Sequence, residues 1–98
     1  MAFRIQSGTV VANTVTTVTL SYKSSIEIVN RGTVDMWTRV DGVNPTIAGD
    51  ECLFVAPQGF ITVANPKTPP DVVAGTTSNS EIRMIAGTNC NYTVSVGY

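Results

Sequence analysis

The chain has 98 residues, of which 43% are hydrophobic and only 13% are charged, and its formal net charge is −1. This length suits one domain with a single thin core. The weak charge and the lack of a basic cluster argue against a nucleic-acid partner, and no apolar run reaches the ~18 residues of a membrane-spanning helix. The chain contains no histidine, the commonest general base and metal ligand, so its composition also argues against an enzyme.

The first part of the chain is rich in valine and threonine, whose β-branched side chains favour strands. Residues 3–6 predict a short strand or an extended arm, and Ser7-Gly8 predicts a break after it. We therefore predict an N-terminal arm over residues 1–6, in which Phe3 and Ile5 anchor the protein to a neighbour. The alternative is that these two side chains begin the first core strand. Residues 9–20 change face near residues 13–17, which predicts a bulge or a break there.

The centre of the chain alternates strand signals with turn signals. Apolar and polar residues alternate over residues 25–30 and 36–40, which is the period of a strand with one buried face. Between these strands Asn30-Arg31-Gly32 predicts a turn, because asparagine and glycine both tolerate positive φ. Asp41-Gly42 and Asn44-Pro45 predict a longer loop. Residues 51–56 predict a third strand, and residues 59–64 predict the return arm of a hairpin.

The last part of the chain begins with a proline-rich segment, residues 65–70, which cannot be an interior strand. We predict that this segment crosses from one sheet to another, and that a brief edge strand over residues 71–74 and a polar loop over residues 75–80 follow. Residues 81–86 and 92–96 alternate again. Seven or eight short strands predict a single all-β domain, an antiparallel β-sandwich or small barrel. Its predicted core comprises Ile26, Ile28, Met36, Val40, Ile82, Met84, Val94 and Val96.

Few side chains in the sequence are candidates for metal binding or covalent chemistry. The best candidate metal site is the loop 41–44 together with Asp50 and Glu51, because calcium prefers oxygen ligands on a flexible loop. The same residues are common turn formers, and we predict a turn without metal. Cys52 and Cys90 cannot complete a zinc site without histidine. We expect two reduced thiols, with a disulfide as the alternative, because nothing in the sequence, including its start, indicates secretion.

The only tryptophan, Trp37, lies in the second predicted strand of the centre, two residues before Arg39. If its face of the strand is exposed, Trp37 beside Arg39 is a candidate anchor for a sugar or a protein. The interpretation that we favour places Trp37 on the second face of a strand that is buried on both sides.

Three segments of the centre, residues 26–32, 37–51 and 55–59, resemble small β-rich structural proteins in the virions of tailed bacteriophages. The likeness consists of a strand that ends in Asn and Gly, an aromatic strand that ends in Asp41-Gly42, a Pro-Thr loop, and a strand closed by Pro57-Gln58-Gly59. It covers about a third of the chain, and each piece is also ordinary hairpin chemistry.

The resemblance implies a structural role without catalytic, cofactor or metal residues. We therefore expect a non-enzymatic capsid decoration or cement subunit that binds the major capsid protein or other virion proteins, forms homo-oligomers in the assembly, and contacts neither nucleic acid nor membrane. It would be located in the virion after assembly in the host cytoplasm. The main alternative is a carbohydrate- or receptor-binding β-sandwich. The candidate interface residues are Phe3, Ile5, Trp37 and Arg39.

Overall fold

The computed structural model describes residues 4–66 and 79–97. These residues form eight strands and no helix. The strands are β1 (Ile5–Val10), β2 (Thr16–Ser21), β3 (Ser25–Asn30), β4 (Met36–Arg39), β5 (Leu53–Val55), β6 (Phe60–Ala64), β7 (Asn79–Ala86) and β8 (Cys90–Gly97). They form two antiparallel sheets of four: sheet A, in the order β1-β8-β3-β6, and sheet B, in the order β2-β7-β4-β5. The prediction of an all-β antiparallel sandwich is confirmed.

The strand pairing has a simple nested pattern. Strand β1 pairs with β8, β2 with β7, β3 with β6 and β4 with β5, so the chain is one long antiparallel ribbon closed between β4 and β5. The ribbon folds back on itself, so that β3 also pairs with β8 and β4 also pairs with β7, and these pairings complete the two sheets. Eight strands in this order form a jelly roll, an architecture built from two Greek keys.

The hairpin predicted at residues 59–64 is wrong. Strand β5 belongs to sheet B, whereas β6 belongs to sheet A and pairs with β3. The turn that precedes β6 is present, since the Gly59 amide donates to the Ala56 carbonyl at 2.9 Å and Gln58 has a φ of 62°. Turn residues reverse the chain but do not select the strand that it then meets. Here the turn carries the chain from one sheet to the other.

Strand β1 also differs from its prediction. It runs without interruption through Ser7-Gly8, so the break predicted there is wrong. Six consecutive pairings with β8 hold this stretch extended, and the Ser7 and Thr93 hydroxyls lie 2.7 Å apart across the two strands. The break predicted near residues 13–17 is confirmed: the chain turns between β1 and β2, where Asn13 has a φ of 57°.

The core lies between the two sheets. All the predicted core side chains are buried except Val40, which is partly buried and packs against the others. Thr38 is fully buried among them because its hydroxyl donates to the Arg83 carbonyl at 2.7 Å.

The chain changes sheet between β6 and β7. The edge strand predicted at residues 71–74 lies outside the described residues.

One buried amide joins the two sheets at the turn after β3. The Asn30 side chain is fully buried, and its Nδ2 donates to the carbonyls of Val34 at 2.7 Å and Val55 at 3.0 Å. Its Oδ1 accepts from the Gly32 amide at 2.9 Å and from the Cys90 thiol at 3.1 Å. Asn30 thereby connects β3 of sheet A with β5 of sheet B.

The turn predicted at residues 30–32 is present, but it does not use the tolerance of asparagine and glycine for positive φ. Neither Asn30 nor Gly32 has positive φ. The Asn30 side chain forms the turn through its own hydrogen bonds, and Gly32 is needed because a Cβ there would lie 2.6 Å from the Cys90 Sγ. At Asp41-Gly42, where the sequence predicted a loop, the glycine is left-handed, with a φ of 82°.

Candidate functional site

The outer face of sheet B carries an aromatic row. Trp37 on β4 stands between Ile85 on β7 and Phe54 on β5 in the register of the sheet. The Trp37 and Phe54 ring centroids are 5.9 Å apart, with the planes tilted by 55°, a favourable arrangement for two aromatic rings. Phe54 is 50% exposed, and Trp37 is half-buried. Trp37 is therefore neither a core side chain nor an isolated exposed one.

Beside Trp37 lies an open cleft of about 280 Å³. The β3–β4, β4–β5 and β7–β8 connections form its walls, and we call it the Trp37 cleft. Its described lining is largely apolar, and only Asp35 and Thr88 bring polar side chains. The lining residues are Val34, Asp35, Trp37, Ile47, Gly87 and Thr88.

The β4–β5 connection builds one wall of this cleft by folding back over sheet B. Arg83 on β7 donates to the Asn44 Oδ1 at 2.6 Å, and Pro45 is buried. The Gly49 amide donates to the Thr46 carbonyl at 3.0 Å and so tightens the loop. These contacts hold Ile47 against the cleft, where its side chain remains 41% exposed.

Next to the aromatic row, Arg39 is tied to two carboxylates. Its Nε and Nη2 contact the two Asp41 oxygens at 3.1 and 2.5 Å, and its Nη1 contacts the Glu51 Oε2 at 3.3 Å. The hydrogen bond from Arg39 is the main reason that the pKa of Asp41 is lowered from 3.8 to about 2. The same contact raises the pKa of Arg39.

In this network two acidic side chains of the candidate metal site, Asp41 and Glu51, are paired with Arg39. Asp41 and Glu51 point at Arg39, and the Asp41 Oδ1 also accepts from the Val43 amide at 3.2 Å, as in an ordinary aspartate turn. Within residues 4–66 and 79–97, no three histidine, cysteine or acidic side chains come close enough together to hold a metal ion.

The Arg39–Asp41 pair predicts a stability difference that depends on pH. Because the folded-state pKa of Asp41 is lowered, its stabilisation is present above the unfolded pKa near 3.8 and lost as the pH falls through about 2. We expect Asp41→Asn to lower the melting temperature slightly near neutral pH and to have a much smaller effect at pH 2. The effect is small because the Asp41 side chain is 43% exposed. An equal loss at both pH values would contradict it.

Both cysteines are free in the structure. Cys90 is buried, and burial raises the pKa of its thiol, which keeps it protonated and unreactive at neutral pH. Cys52 is partly exposed and lies against Thr46, whose amide is 3.4 Å from the Cys52 Sγ. Neither thiol lies beside a histidine, since the chain has none.

The structure does not bring the predicted interface residues together. Trp37 and Arg39 lie on the outer face of sheet B, whereas Ile5 lies on β1, an edge strand of sheet A. Ile5 is 63% exposed, so it begins a strand without entering the core. Phe3 lies outside the described residues.

No protein-family model, curated protein or solved structure matches this chain.

The prediction also missed Asp35, Ile47 and Thr88 in the lining of the cleft, and Phe54 beside Trp37 in the aromatic row. A signal for Phe54 existed, because alternation in the strand after the loop sets it opposite the buried Val55. Asp35 and Ile47 gave no such signal in the sequence, because their positions depend on the conformations of two connections.

No helix in the described part of the chain is long and apolar enough to span a membrane.

Proposed function

We propose that this protein is a non-enzymatic structural subunit of a tailed-phage virion, a decoration or cement subunit that binds the shell of the major capsid protein. The strand order supports this proposal, because jelly rolls recur in viral capsid domains. They recur in lectins as well, so the fold alone does not distinguish a capsid subunit from a sugar-binding module, and the exposed surface is the stronger evidence.

The observation that carries the proposal is the exposure of large apolar side chains on both outer faces of the sandwich. Sheet A exposes Ile5 by 63% and Phe60 by 66%, and sheet B exposes Phe54 by 50% beside the Trp37 cleft. Exposed apolar surface costs free energy in water and is characteristic of contact surfaces. A subunit held in a lattice meets neighbours on more than one side and covers such surfaces.

The polar groups suit a structural role better than a catalytic one. The carboxylates of Asp41 and Glu51 share Arg39 as their partner, and this contact lowers the pKa of Asp41, whereas a general acid needs a raised one. The buried polar side chains Asn30 and Thr38 bond backbone carbonyls and tie strands together. The hydrogen bonding of these side chains therefore maintains the fold.

Binding to shells tests the proposal. Shells assembled from the major capsid protein of the same genome are mixed with the purified protein and separated on a density gradient. We expect saturable binding at a fixed ratio to the shell protein, and at least a tenfold loss of affinity in Ile5→Glu, since a charge would enter an apolar contact. Val43→Glu, at a residue that is 50% exposed on the β4–β5 connection, is the matched control.

The control variant should bind like the wild type, and both variants should melt at the wild-type temperature. Absence of co-sedimentation at every concentration would overturn the proposed function. Equal binding by both variants, with saturation intact, would retain the function but reject Ile5 as an anchor.

One feature favours a second candidate function, a carbohydrate- or receptor-binding module. Trp37 lines an open cleft together with the carboxylate of Asp35 and the hydroxyl of Thr88, and aromatic side chains beside polar groups can hold a sugar. A glycan-binding screen separates this candidate from the first one. Saturable binding of a glycan that Trp37→Ala abolishes would favour the second.

A further inference from the structure

The Trp37 cleft combines apolar walls with a carboxylate that lacks a cation. Asp35 lines the cleft, is exposed, and makes no ion pair or hydrogen bond with another described residue. The two arginines on the described strands of sheet B are already engaged, Arg39 with Asp41 and Glu51, and Arg83 with Asn44 and Glu81.

The segment 34–55, which supplies four of the six residues that line the cleft, is more negative than the chain as a whole. The segment 34–55 contains four carboxylates and a single arginine, which gives it a net charge of −3 against −1 for the whole chain. Of the other basic residues in the described chain, Arg83 contacts the β4–β5 wall of the cleft through Asn44 but is already paired with Glu81, and residues 4, 23 and 31 lie elsewhere in the sequence. The surface around Trp37 therefore attracts a cation.

We propose that the Trp37 cleft binds an exposed arginine side chain of a partner protein in the same assembly. The aliphatic part of that side chain would lie against Val34 and Ile47, and its guanidinium would stack on the Trp37 ring and pair with the Asp35 carboxylate. Arginine suits this site better than lysine, because its planar guanidinium stacks on a ring and pairs with a carboxylate at the same time.

A sugar fits the same cleft less well. Sugar hydroxyls need several hydrogen-bonding groups around the ring, and the described lining offers only Asp35 and Thr88. The tilt of 55° between Trp37 and Phe54 also prevents the two rings from forming one flat platform. A guanidinium requires only one carboxylate and one ring face.

Because the chain has one tryptophan, Trp37 fluorescence reports directly on the cleft of the isolated protein. The probes are Nα-acetyl-arginine amide, its neutral isostere Nα-acetyl-citrulline amide, the corresponding lysine amide and a methyl glycoside. We expect the arginine probe to bind with a Kd on the order of 1–10 mM and the citrulline probe at least about fivefold more weakly. Added salt should weaken the arginine probe.

The matched variants are Asp35→Asn and Asp50→Asn, which remove the same charge inside and outside the cleft lining. Asp35→Asn should weaken the arginine probe about fivefold, whereas Asp50→Asn should change it by less than about twofold. Equal effects of the two variants, equal binding of the citrulline probe, or preferential binding of the glycoside would each overturn the inference.

The identity of the partner rests on the proposed function, and shell binding tests it separately. Asp35→Asn should weaken binding to shells about fivefold at an unchanged melting temperature. If the wild type binds shells and Asp35→Asn binds them equally well, the inference is wrong and the proposed function stands. If the wild type does not bind shells, the proposed function fails, and the fluorescence titration still decides the cleft. If the protein self-associates and Asp35→Asn makes it monomeric, a second copy is the occupant, and the assignment to another protein is wrong.

Discussion

Replacing Asn30 by alanine should destabilise the protein by about 3 kcal/mol, a large share of the stability of a domain of this size. The change removes the side chain that bonds the carbonyls of Val34 and Val55, the Gly32 amide and the Cys90 thiol. All of these groups surround a fully buried side chain, so water cannot replace the lost bonds without opening the sandwich. Urea-induced unfolding, followed by Trp37 fluorescence, measures the loss.

A second variant separates the hydrogen bonds from the volume. Asn30→Asp keeps the shape of the side chain but replaces the donating Nδ2 by an oxygen that faces two carbonyl oxygens. We expect this change to cost at least as much as alanine near neutral pH, and less in acid, where the protonated carboxyl can donate again. The control is Asn91→Ala, because Asn91 is exposed and accepts one bond from Thr9 at 2.8 Å. It should cost less than about 1 kcal/mol. A similar loss for Asn30→Ala and Asn91→Ala would show that Asn30 does not join the sheets.

Adding a single methyl group at Gly32 should destabilise the protein by about 2–3 kcal/mol. A Cβ at this position would lie 2.6 Å from the Cys90 Sγ and 3.3 Å from the Asn91 amide nitrogen. The thiol cannot move away freely, because it donates to the Asn30 Oδ1 at 3.1 Å in the buried cluster. Gly32→Ala therefore forces either the turn or strand β8 to shift.

The source of this strain can be checked by removing the thiol. Cys90→Ala deletes the Sγ that the new methyl group would meet, so the double variant should be more stable than the sum of the two losses predicts, by about 1–2 kcal/mol. Gly87→Ala is the control, because a Cβ there would meet only the Ile47 Cδ1, at 4.0 Å. It should change the free energy of unfolding by less than about 0.5 kcal/mol. Strictly additive losses in the double variant would exclude the Cys90 thiol as the obstacle.

The burial pattern of the strands could be predicted from the sequence. Alternation along β3 and β8 identified Ile26, Ile28, Val94 and Val96 as core residues, and all four are buried. The prediction works because successive side chains of a strand point to opposite faces, so a local pattern determines which face is apolar. The same rule separated Thr38, which is buried, from the outward-facing Trp37.

The candidate site was predictable only in part. Trp37 drew attention as the only tryptophan, and alternation placed it opposite the core face. Its cleft, however, is formed by the two connections that flank β4 and by the distant β7–β8 connection, which bring Asp35, Ile47 and Thr88 around it. Loop conformation depends on contacts such as that of Arg83 with Asn44, whose residues are 39 positions apart. No periodicity in the sequence encodes a contact of that kind.

By itself the sequence determined that this protein is an all-β domain with an apolar face on each long strand, because propensity and alternation are local properties. Only the tertiary structure decided which strands pair. Turn residues such as Pro57-Gln58-Gly59 reverse the chain in a hairpin and in a crossing between sheets alike, and the choice depends on long-range pairing between strands such as β1 and β8. The same holds for Asn30, which the sequence marked as a turn residue and the fold buries between the sheets.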